Sequence, residues 1–120
     1  MKKKILLVED EVTMRETLQD VFEEAGLEVD AASDGKEGLE KIKENKYNLV
    51  LLDLILPKKN GFEVLEEVKR EKIKAPVLLL TNLSGMEDVQ KALALGAKSY
   101  LVKSDYKPKE ILEKVKENLE

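Results

Sequence analysis

The sequence predicts an α/β domain with an open, parallel sheet of five strands, and two observations support this prediction. Short apolar runs alternate with amphipathic segments five times along the chain, which is the order of five βα units. Three of these runs are apolar at every position, as is typical of strands that helices cover on both faces. Because 120 residues suffice for one hydrophobic core, we expect residues 1–120 to form a single domain with right-handed crossovers.

The apolar runs are the predicted strands: residues 5–8, 29–32, 49–52, 77–80 and 99–102. The first, third and fourth runs contain only aliphatic side chains, so we expect helices on both of their faces. Asp30 interrupts the second run, which predicts an edge strand with one face in water. Pro76 precedes the fourth run, where its missing N–H removes no hydrogen bond from the sheet.

The segments between the strands have apolar residues three and four positions apart, the spacing of one face of a helix. The predicted helices are residues 12–25, 37–46, 62–71, 84–95 and 109–119. In the fourth helix we expect Val89, Ala92 and Leu93 to be buried. Gly26 and Gly96 follow the first and fourth helices, at the place where glycine commonly ends a helix.

Polar residues near the helix starts predict how the helices are capped. Ser84 and Glu87 have the spacing of a capping box. Asp34 or Ser33 is placed to cap the second helix, and Pro108 suits the first turn of the last one. These residues therefore agree with the predicted alternation of strands and helices.

The composition excludes several kinds of chemistry. The chain has no Cys and no His, so it lacks disulfides, thiolate metal sites, a cysteine nucleophile and a histidine base. A bound metal would have oxygen ligands, which suits Mg²⁺, Ca²⁺ or Mn²⁺. With 21 basic and 25 acidic residues the net charge is −4, which disfavours direct binding of nucleic acid. The first apolar run is too short for a signal peptide and no stretch approaches a membrane span, so we expect a cytoplasmic protein.

Polar residues collect where the predicted strands end. Glu9 and Asp10 follow the first strand, Asp53 the third, Thr81 the fourth and Lys103 the fifth. In open α/β sheets, ligands bind at this edge, near the point where the strand order reverses. Neighbouring carboxylates repel one another unless one is protonated or a cation lies between them, and Mg²⁺ suits such ligands. A carboxylate, a divalent cation and a lysine are together the groups that phosphoryl transfer needs.

Each of these residues also has a purely structural explanation. Glu9 and Asp10 could be solvated loop residues, or partners of the positive end of the first helix. Thr81 could simply end a strand, and Lys103 could lie on the surface. Asp53 is harder to explain in this way, because a lone carboxylate between aliphatic runs is costly without partners. The placement of all of them at one sheet edge, rather than any single residue, favours a functional site.

Seven motifs occur in a specific order and spacing: ILLVEDE at 5–11, LVLLDL at 49–54, LP at 56–57, NGF at 60–62, VLLLT at 77–81, ALGA at 94–97 and YLVK at 100–103. Through these motifs the chain resembles, over nearly its whole length, the receiver domains of bacterial two-component response regulators, in particular the single-domain chemotaxis type. The resemblance implies a flavodoxin-like, doubly wound (βα)₅ fold with strand order 2-1-3-4-5.

The resemblance also implies a metal site and a phosphoacceptor. Asp53 would accept a phosphoryl group from the phosphohistidine of a histidine kinase or a phosphotransfer protein. Asp10, Asp53 and the backbone carbonyl of Ile55 would hold Mg²⁺ or Mn²⁺, with Glu9 near the metal through a water molecule. Such a domain catalyses its own phosphorylation and dephosphorylation, and we expect no turnover of a separate substrate.

A conformational switch is implied as well. Lys103 would contact the phosphoryl oxygens, Thr81 would form a hydrogen bond with the phosphoryl group, and Tyr100 would rotate inward as Thr81 moves. The surface of the fourth helix, fifth strand and fifth helix would then change shape and select a downstream protein. The domain would act as a monomer or as a dimer that forms on phosphorylation, without contacting nucleic acid or membrane directly.

The chain departs from the family pattern in three places. Glu9 stands where Asp is usual, which is a conservative change. Ser104 follows Lys103 where the family usually has Pro, often after a cis bond; before Ser a cis bond costs about 3 kcal/mol more than trans. We therefore expect the Lys103 loop to be placed differently or to be more mobile. Asn82 follows Thr81 where a small residue is usual, and it would narrow access to the phosphate or offer it an amide hydrogen bond.

Two positions tune the lifetime of the phosphoryl group in this family: the second residue after the acceptor and the second after the threonine. Here they are Ile55 and Leu83, both apolar. Neither side chain can orient an attacking water. We therefore expect slow self-dephosphorylation.

Three other interpretations stay open. The chain could be the receiver part of a longer regulator with a DNA-binding or enzymatic output, which a dimer through the fourth and fifth helices would favour. It could be an engineered or consensus scaffold without a native partner, which its many Lys and Glu residues would suit. A phosphatase with Asp53 as nucleophile is disfavoured, because Ile55 stands where an acid would be needed to protonate the leaving group. The sequence does not identify the kinase, the output pathway or the oligomeric state.

Overall fold

A computed structural model of the chain describes residues 2–119; Met1 and Glu120, the two ends of the predicted domain, lie outside the described residues. The strands are β1 (Lys4–Val8), β2 (Glu28–Ala32), β3 (Leu49–Leu52), β4 (Val77–Thr81) and β5 (Ser99–Val102). The helices are α1 (Val12–Glu24), α2 (Gly35–Glu44), α3 (Gly61–Arg70), α4 (Met86–Ala94) and α5 (Pro108–Glu117), with a short 3₁₀ helix over Lys103–Asp105. Each predicted strand and helix is therefore present, with ends that differ from the predicted ones by at most two residues.

All five strands are parallel and lie in the order β2-β1-β3-β4-β5, which confirms the predicted fold. Successive aliphatic side chains of a strand point to opposite faces of the sheet. Leu6 and Leu52 pack on the face covered by α2, α3 and α4, whereas Ile5 and Leu51 pack on the face covered by α1 and α5. The sheet is thus covered on both sides, and the strand order reverses between β1 and β3, where the carboxyl ends of the strands leave a crevice.

Three of the predicted helix ends have the expected chemistry. The Asp34 carboxylate accepts a hydrogen bond of 2.7 Å from the Glu37 backbone N–H and so caps α2. Gly26 and Gly96 have φ values of 89° and 105°, which an L side chain would adopt only with strain. An additional capping box, which the sequence analysis did not identify, links Asn60 and Glu63 at the start of α3.

The predicted capping box of Ser84 and Glu87 is wrong. Helix α4 begins at Met86, its N-cap residue is Gly85, and no side chain caps it. The preceding residues bind other parts of the fold: the Leu83 N–H donates to the Thr81 hydroxyl oxygen, and the Leu83 carbonyl accepts a hydrogen bond from Tyr100. These contacts hold the chain away from a helical path, so the helix starts two residues later than predicted.

The predicted burial of Leu93 is also wrong, because 44% of this residue is exposed. Of α4, only Ala92 is fully buried, and Val89 is half-buried. Neighbouring side chains in a helix point about 100° apart around its axis. Because Ala92 is buried against the sheet, Leu93 lies at the edge of this contact and is partly exposed. Helix α4 is therefore attached to the sheet by a narrower apolar face than its sequence suggested.

Candidate functional site

Three carboxylates meet at the carboxyl ends of β1 and β3. Val8 pairs with Leu52 in the parallel register, and the Asp53 N–H donates to the Val8 carbonyl, so the residues that follow the two strands are neighbours. Glu9, Asp10 and Asp53 each bring one carboxylate oxygen into a group whose members all lie within 4.8 Å of one another. Glu9 and Asp53 are buried, with 1% and 4% of the residue exposed, whereas Asp10 is exposed. The predicted convergence of these residues is present in the structure.

Lys103 enters the same group from the end of β5. Its Nζ lies 2.6 Å from Glu9 Oε1 and 2.6 Å from Asp53 Oδ2, and 12% of its side chain is exposed. Burial lowers the pKa of Lys103, but the hydrogen bonds to Asp53 and Glu9 outweigh it, so that its pKa is raised overall. The lysine is therefore charged at neutral pH and neutralises part of the carboxylate charge.

Burial is the main cause of a raised pKa at Glu9. The hydrogen bond from Lys103 and the one from the Glu11 backbone N–H, at 3.1 Å, offset part of this effect, while the charge of Asp53 adds to it. Glu9 thus has both oxygens engaged, Oε1 by the lysine and Oε2 by the backbone. It is held in place more rigidly than the exposed Asp10.

The two oxygens of Asp53 have different partners. Oδ2 is paired with Lys103, and Oδ1 accepts a hydrogen bond of 3.2 Å from the Ile55 backbone N–H. The loop after Asp53 runs close to α3, because the Gly61 N–H donates to the Leu54 carbonyl, and a Cβ atom on Gly61 would lie 2.4 Å from the Asp53 carbonyl oxygen. Glycine at position 61 therefore permits the backbone path that places the Asp53 carboxylate.

Thr81 and Tyr100 lie on the neighbouring strands. Thr81 is fully buried, and its hydroxyl oxygen accepts a hydrogen bond of 3.4 Å from the Leu83 N–H. Tyr100 is half-buried and donates its hydroxyl to the Leu83 carbonyl. Burial, together with the negative charges of Asp88 and Asp53, raises the pKa of Tyr100, so the phenol stays protonated and remains a donor.

The remaining predicted site residues lie around the carboxylate group. Ile55 is 56% exposed, whereas Leu83 is half-buried and packs against the core on the sheet face covered by α2, α3 and α4. Asn82 is exposed, and its Oδ1 accepts a hydrogen bond of 3.2 Å from the Ser104 N–H. No cis peptide bond occurs in residues 2–119, so the bond before Ser104 is trans.

Sequence reasoning missed one contributor to this site, Arg15. Its guanidinium donates a hydrogen bond of 2.8 Å to the Glu9 backbone carbonyl, which ties the first turn of α1 to the acidic loop. The motif at 5–11 gave no indication of this, because Arg15 lies six residues from Glu9 and approaches it only once the loop turns into the helix.

The residues present fit a small, oxygen-preferring divalent cation. The donors are carboxylate oxygens only, two of them buried and one open to solvent. Such a set suits Mg²⁺, which binds through one or two carboxylates and keeps several waters. In this structure the Lys103 ammonium is the positive charge that pairs with Glu9 and Asp53. The carboxylate group is therefore one that a nearby cation stabilises.

None of the helices described within residues 2–119 is long and apolar enough to cross a membrane.

Comparison with known proteins identifies relatives that match nearly the whole length of the chain. The family model described as response regulator receiver domain matches residues 5–116. The alkaline phosphatase synthesis transcriptional regulatory protein PhoP of Bacillus subtilis is 40% identical over 116 residues, which cover 97% of this chain and 48% of that protein. The transcriptional regulatory protein DltR of Streptococcus agalactiae is 41% identical over 100 residues, covering 83% of this chain and 45% of that protein. The chain therefore spans about half the length of the curated relatives it matches.

Solved structures agree with this assignment. A CheY-like response regulator receiver domain from Methanospirillum hungatei superposes with a TM-score of 0.91 at 33% identity, covering 99% of this chain and 94% of that one. The response regulator TrrA from Thermotoga maritima, solved in complex with Mg²⁺ and BeF, gives a TM-score of 0.83 at 39% identity, with 97% and 98% covered. Because the family model matches residues 5–116 and solved receiver domains have the same fold, the chain belongs to the receiver domain family of two-component response regulators.

Proposed function

We propose that Asp53 accepts a phosphoryl group from the phosphohistidine of a histidine kinase or phosphotransfer protein, and that the domain signals by a change of shape. One observation supports this most strongly: a buried carboxylate at a strand end lies beside two further carboxylates and is paired with a lysine whose side chain is 12% exposed. A carboxylate can act as a nucleophile on phosphorus, and such a cluster offers it a cation site and an anion-binding ammonium.

Asp10, Asp53 and the Ile55 backbone carbonyl would hold Mg²⁺ or Mn²⁺, with Glu9 close to it through water. When bound, the metal would neutralise charge on the phosphoryl oxygens. The fit of the three carboxylates to an oxygen-preferring ion supports this assignment. The similar TrrA protein, which was solved with Mg²⁺ bound, supports it as well.

The chain's own residues supply the other parts of the transfer. An oxygen of Asp53 attacks phosphorus; the P–O bond forms as the P–N bond of the phosphohistidine breaks, and the imidazole leaves with the electron pair. Lys103 gives up its contact with Asp53 Oδ2 and binds the phosphoryl oxygens instead. The Thr81 hydroxyl, whose oxygen accepts the Leu83 N–H in this structure, donates a hydrogen bond to another of the phosphoryl oxygens.

The same rearrangement would alter the α4-β5-α5 surface. Thr81 and Tyr100 both bind Leu83, so a movement of Thr81 towards the phosphoryl group reaches Tyr100 through one shared residue. Helix α4 has one fully buried residue and no side-chain cap, which makes it the helix best suited to shift. A downstream protein that binds this surface would then distinguish the two states.

The domain would act once per phosphoryl group and would not turn over a separate substrate. The residues two positions after Asp53 and Thr81 are Ile55 and Leu83, both apolar, and neither can orient a hydrolytic water. We therefore expect the phosphorylated state to decay slowly.

A second proposal concerns the whole protein. The relatives named above are transcriptional regulators, and this chain matches about half of their length. This supports a receiver that controls a DNA-binding partner or domain, through a dimer that forms on phosphorylation. Sedimentation of the domain with and without the phosphoryl group tests it: dimerisation on phosphorylation supports the proposal, and a monomer in both states speaks against it.

Intact-mass measurement tests the phosphoacceptor assignment. The parent and the Asp53→Asn variant are incubated with a small-molecule phosphoryl donor, with Mg²⁺ or with a chelator. We expect one phosphoryl adduct on the parent with Mg²⁺, and none on the variant or in chelator. A parent that remains unmodified under all conditions would contradict the proposed function.

A further inference from the structure

Two of the residues that depart from the family pattern contact each other in the fold. Asn82 Oδ1 accepts the Ser104 backbone N–H at 3.2 Å, although the two residues lie 22 positions apart. A proline at position 104 has no N–H and could not make this bond. A small side chain at position 82 could not reach across to accept it. Asn82 and Ser104 are therefore complementary in this fold.

The hydrogen bond lies just beyond the end of the ladder between β4 and β5. The last registered pair of these strands is Thr81 with Val102. The next residues along the two strands are Asn82 and Lys103, and the Asn82 side chain bridges to the residue after the lysine. It therefore joins the segment that contains Thr81 to the segment that contains Lys103, at the sheet edge where Lys103 contacts the carboxylates.

Beyond the Thr81–Val102 pair that ends the strand ladder, residues 82 and 83 are connected to β5 and the turn after it at two places. One is the Asn82–Ser104 hydrogen bond, and the other is the hydrogen bond from Tyr100 to the Leu83 carbonyl. Within the segment, the Leu83 N–H binds the Thr81 hydroxyl oxygen. Thr81 is thus connected through Leu83 to Tyr100, before the end of β5, and through its neighbour Asn82 to the loop of Lys103 after it.

The position of the Lys103 backbone matters because the Lys103 ammonium must reach two carboxylates at the same time. Nζ lies 2.6 Å from a carboxylate oxygen of Glu9 and of Asp53, and both carboxylates are buried. A lysine side chain has many rotamers, and pairing with the carboxylates restricts them. A fixed backbone at Lys103 lowers the entropy cost of this restriction. The Lys103 carbonyl also accepts the Tyr106 N–H, which closes the short 3₁₀ helix behind it.

We infer that Asn82 is a positioning residue whose hydrogen bond to Ser104 holds Lys103 over the carboxylates and couples its movement to that of Thr81. The inference rests on the proposed phosphoryl transfer to Asp53. It assigns to position 82 a role that differs from narrowing access to the phosphate or donating to it. In this chain the Asn82–Ser104 hydrogen bond restrains the loop after Lys103, as the rigid ring of a proline at position 104 would do.

The first test compares rates of phosphorylation by a small-molecule donor at saturating Mg²⁺. Asn82→Leu keeps the bulk of the side chain and removes the acceptor, and Asn82→Ala removes both. We expect both variants to be slower than the parent by about two- to tenfold, the range for loss of one hydrogen bond. Ser104→Ala keeps the backbone N–H and is the matched control, with an unchanged rate expected. If Asn82 instead controls access, Asn82→Ala is faster and Asn82→Leu unchanged, which would overturn the inference.

A second variant pair shows whether Asn82 acts through the lysine. In a Lys103→Met background, Asn82→Leu should cause no further change in rate, because the group that it positions is gone. An equal loss in both backgrounds would contradict action through Lys103. Urea unfolding of each variant shows whether a slower rate comes from loss of stability, which the inference does not predict.

Amide hydrogen exchange provides a readout that does not depend on phosphorylation. The Ser104 amide should exchange about two- to tenfold faster in Asn82→Leu than in the parent, with the Lys103 amide affected and the core strands unchanged. If the parent accepts no phosphoryl group but Ser104 loses protection in the variant, the proposed function fails while the connection between the loops stands. Unchanged exchange at Ser104 would overturn the inference.

Discussion

Replacement of Lys103 by Met tests the electrostatic account of the site. Methionine keeps an unbranched side chain of similar length and removes the charge. The ammonium lies 2.6 Å from two carboxylate oxygens, and each contact is worth ~6 kcal/mol of attraction at an effective dielectric constant of 20, before desolvation is counted. Loss of one member of a buried ion pair typically costs about 3–5 kcal/mol, because the other charge stays buried without a partner.

We expect Lys103→Met to lower the free energy of unfolding by about 3 kcal/mol at pH 7 in a chelator, the lower end of that range, because 12% of the side chain is exposed. Mg²⁺ should recover part of this loss, since a divalent cation can neutralise the same carboxylates. Urea unfolding, followed by circular dichroism in chelator and in Mg²⁺, measures both quantities.

The loss should also depend on pH, with a definite sign. Burial already raises the pKa of Glu9, and removal of the lysine takes away an effect that lowers it. A carboxylate with a raised pKa in the folded state binds protons more readily there than in the unfolded chain, so its contribution to stability falls as pH rises above its ordinary value of 4.5. The difference between variant and parent should therefore shrink towards acidic pH.

Lys43→Met is the matched control. Lys43 also contacts two carboxylates, at 2.6 Å for Glu67 and 3.2 Å for Glu71, but 40% of its side chain is exposed. Solvent screens such a pair, so we expect little change in stability and no response to Mg²⁺. If Lys103→Met is as stable as the parent in chelator, or if Mg²⁺ affects both lysine variants alike, the electrostatic reasoning is refuted.

Three further predictions concern the start of α2 and the lifetime of the phosphoryl group. Asp34→Ala should lower the free energy of unfolding by about 1 kcal/mol through loss of the N-cap. The Glu37 N–H holds the pKa of Asp34 below 3.8, so its stabilisation is present above that pH and is lost as pH falls through the folded-state value, as acid titration of unfolding will show. Gly35→Ala would place a Cβ 1.7 Å from the Lys59 carbonyl oxygen, and urea unfolding should show a loss of about 1–3 kcal/mol. Polar residues in place of Ile55 and Leu83 should speed loss of the phosphoryl group, measured by the decay of the adduct mass.

Each of these has its own control. Asp34→Asn keeps a good cap without a titrating group, so it should retain stability in acid better than the parent does. At Gly85 a new Cβ would meet its nearest atom at 3.5 Å, so Gly85→Ala should lose only the N-cap preference of glycine over alanine and cost less than Gly35→Ala; equal losses at positions 35 and 85 would contradict the packing argument. Ile55→Val preserves an apolar side chain, and a decay as fast as that of the polar variants would show that polarity is not the cause.

The fold was predictable because the signals for it are local. Residues 49–52 are aliphatic throughout and Asp53 ends the run, so the strand, its burial and the position of the Asp53 carboxylate follow from neighbouring residues. The grouping of strand-end residues followed from a general property of parallel sheets rather than from any pairwise contact.

What sequence could not provide depends on long-range contacts. The box of Ser84 and Glu87 has good local spacing, yet Leu83 is bound to Tyr100, 17 residues away, and the helix starts later. Asn82 and Ser104 were each recognisable as unusual, but only the folded chain shows that they bind each other.

Chemical trapping of the phosphorylated residue tests the central proposal most directly. After reaction with a phosphoryl donor and Mg²⁺, an aspartyl or glutamyl phosphate is reduced by borohydride to the corresponding alcohol, and peptide sequencing by mass spectrometry locates the reduced residue. Glu9, Asp10 and Asp53 lie within one group of oxygens, so the experiment chooses among close neighbours. We predict reduction at Asp53 alone. Reduction at Glu9 or Asp10, or an adduct that survives Asp53→Asn, would contradict the account.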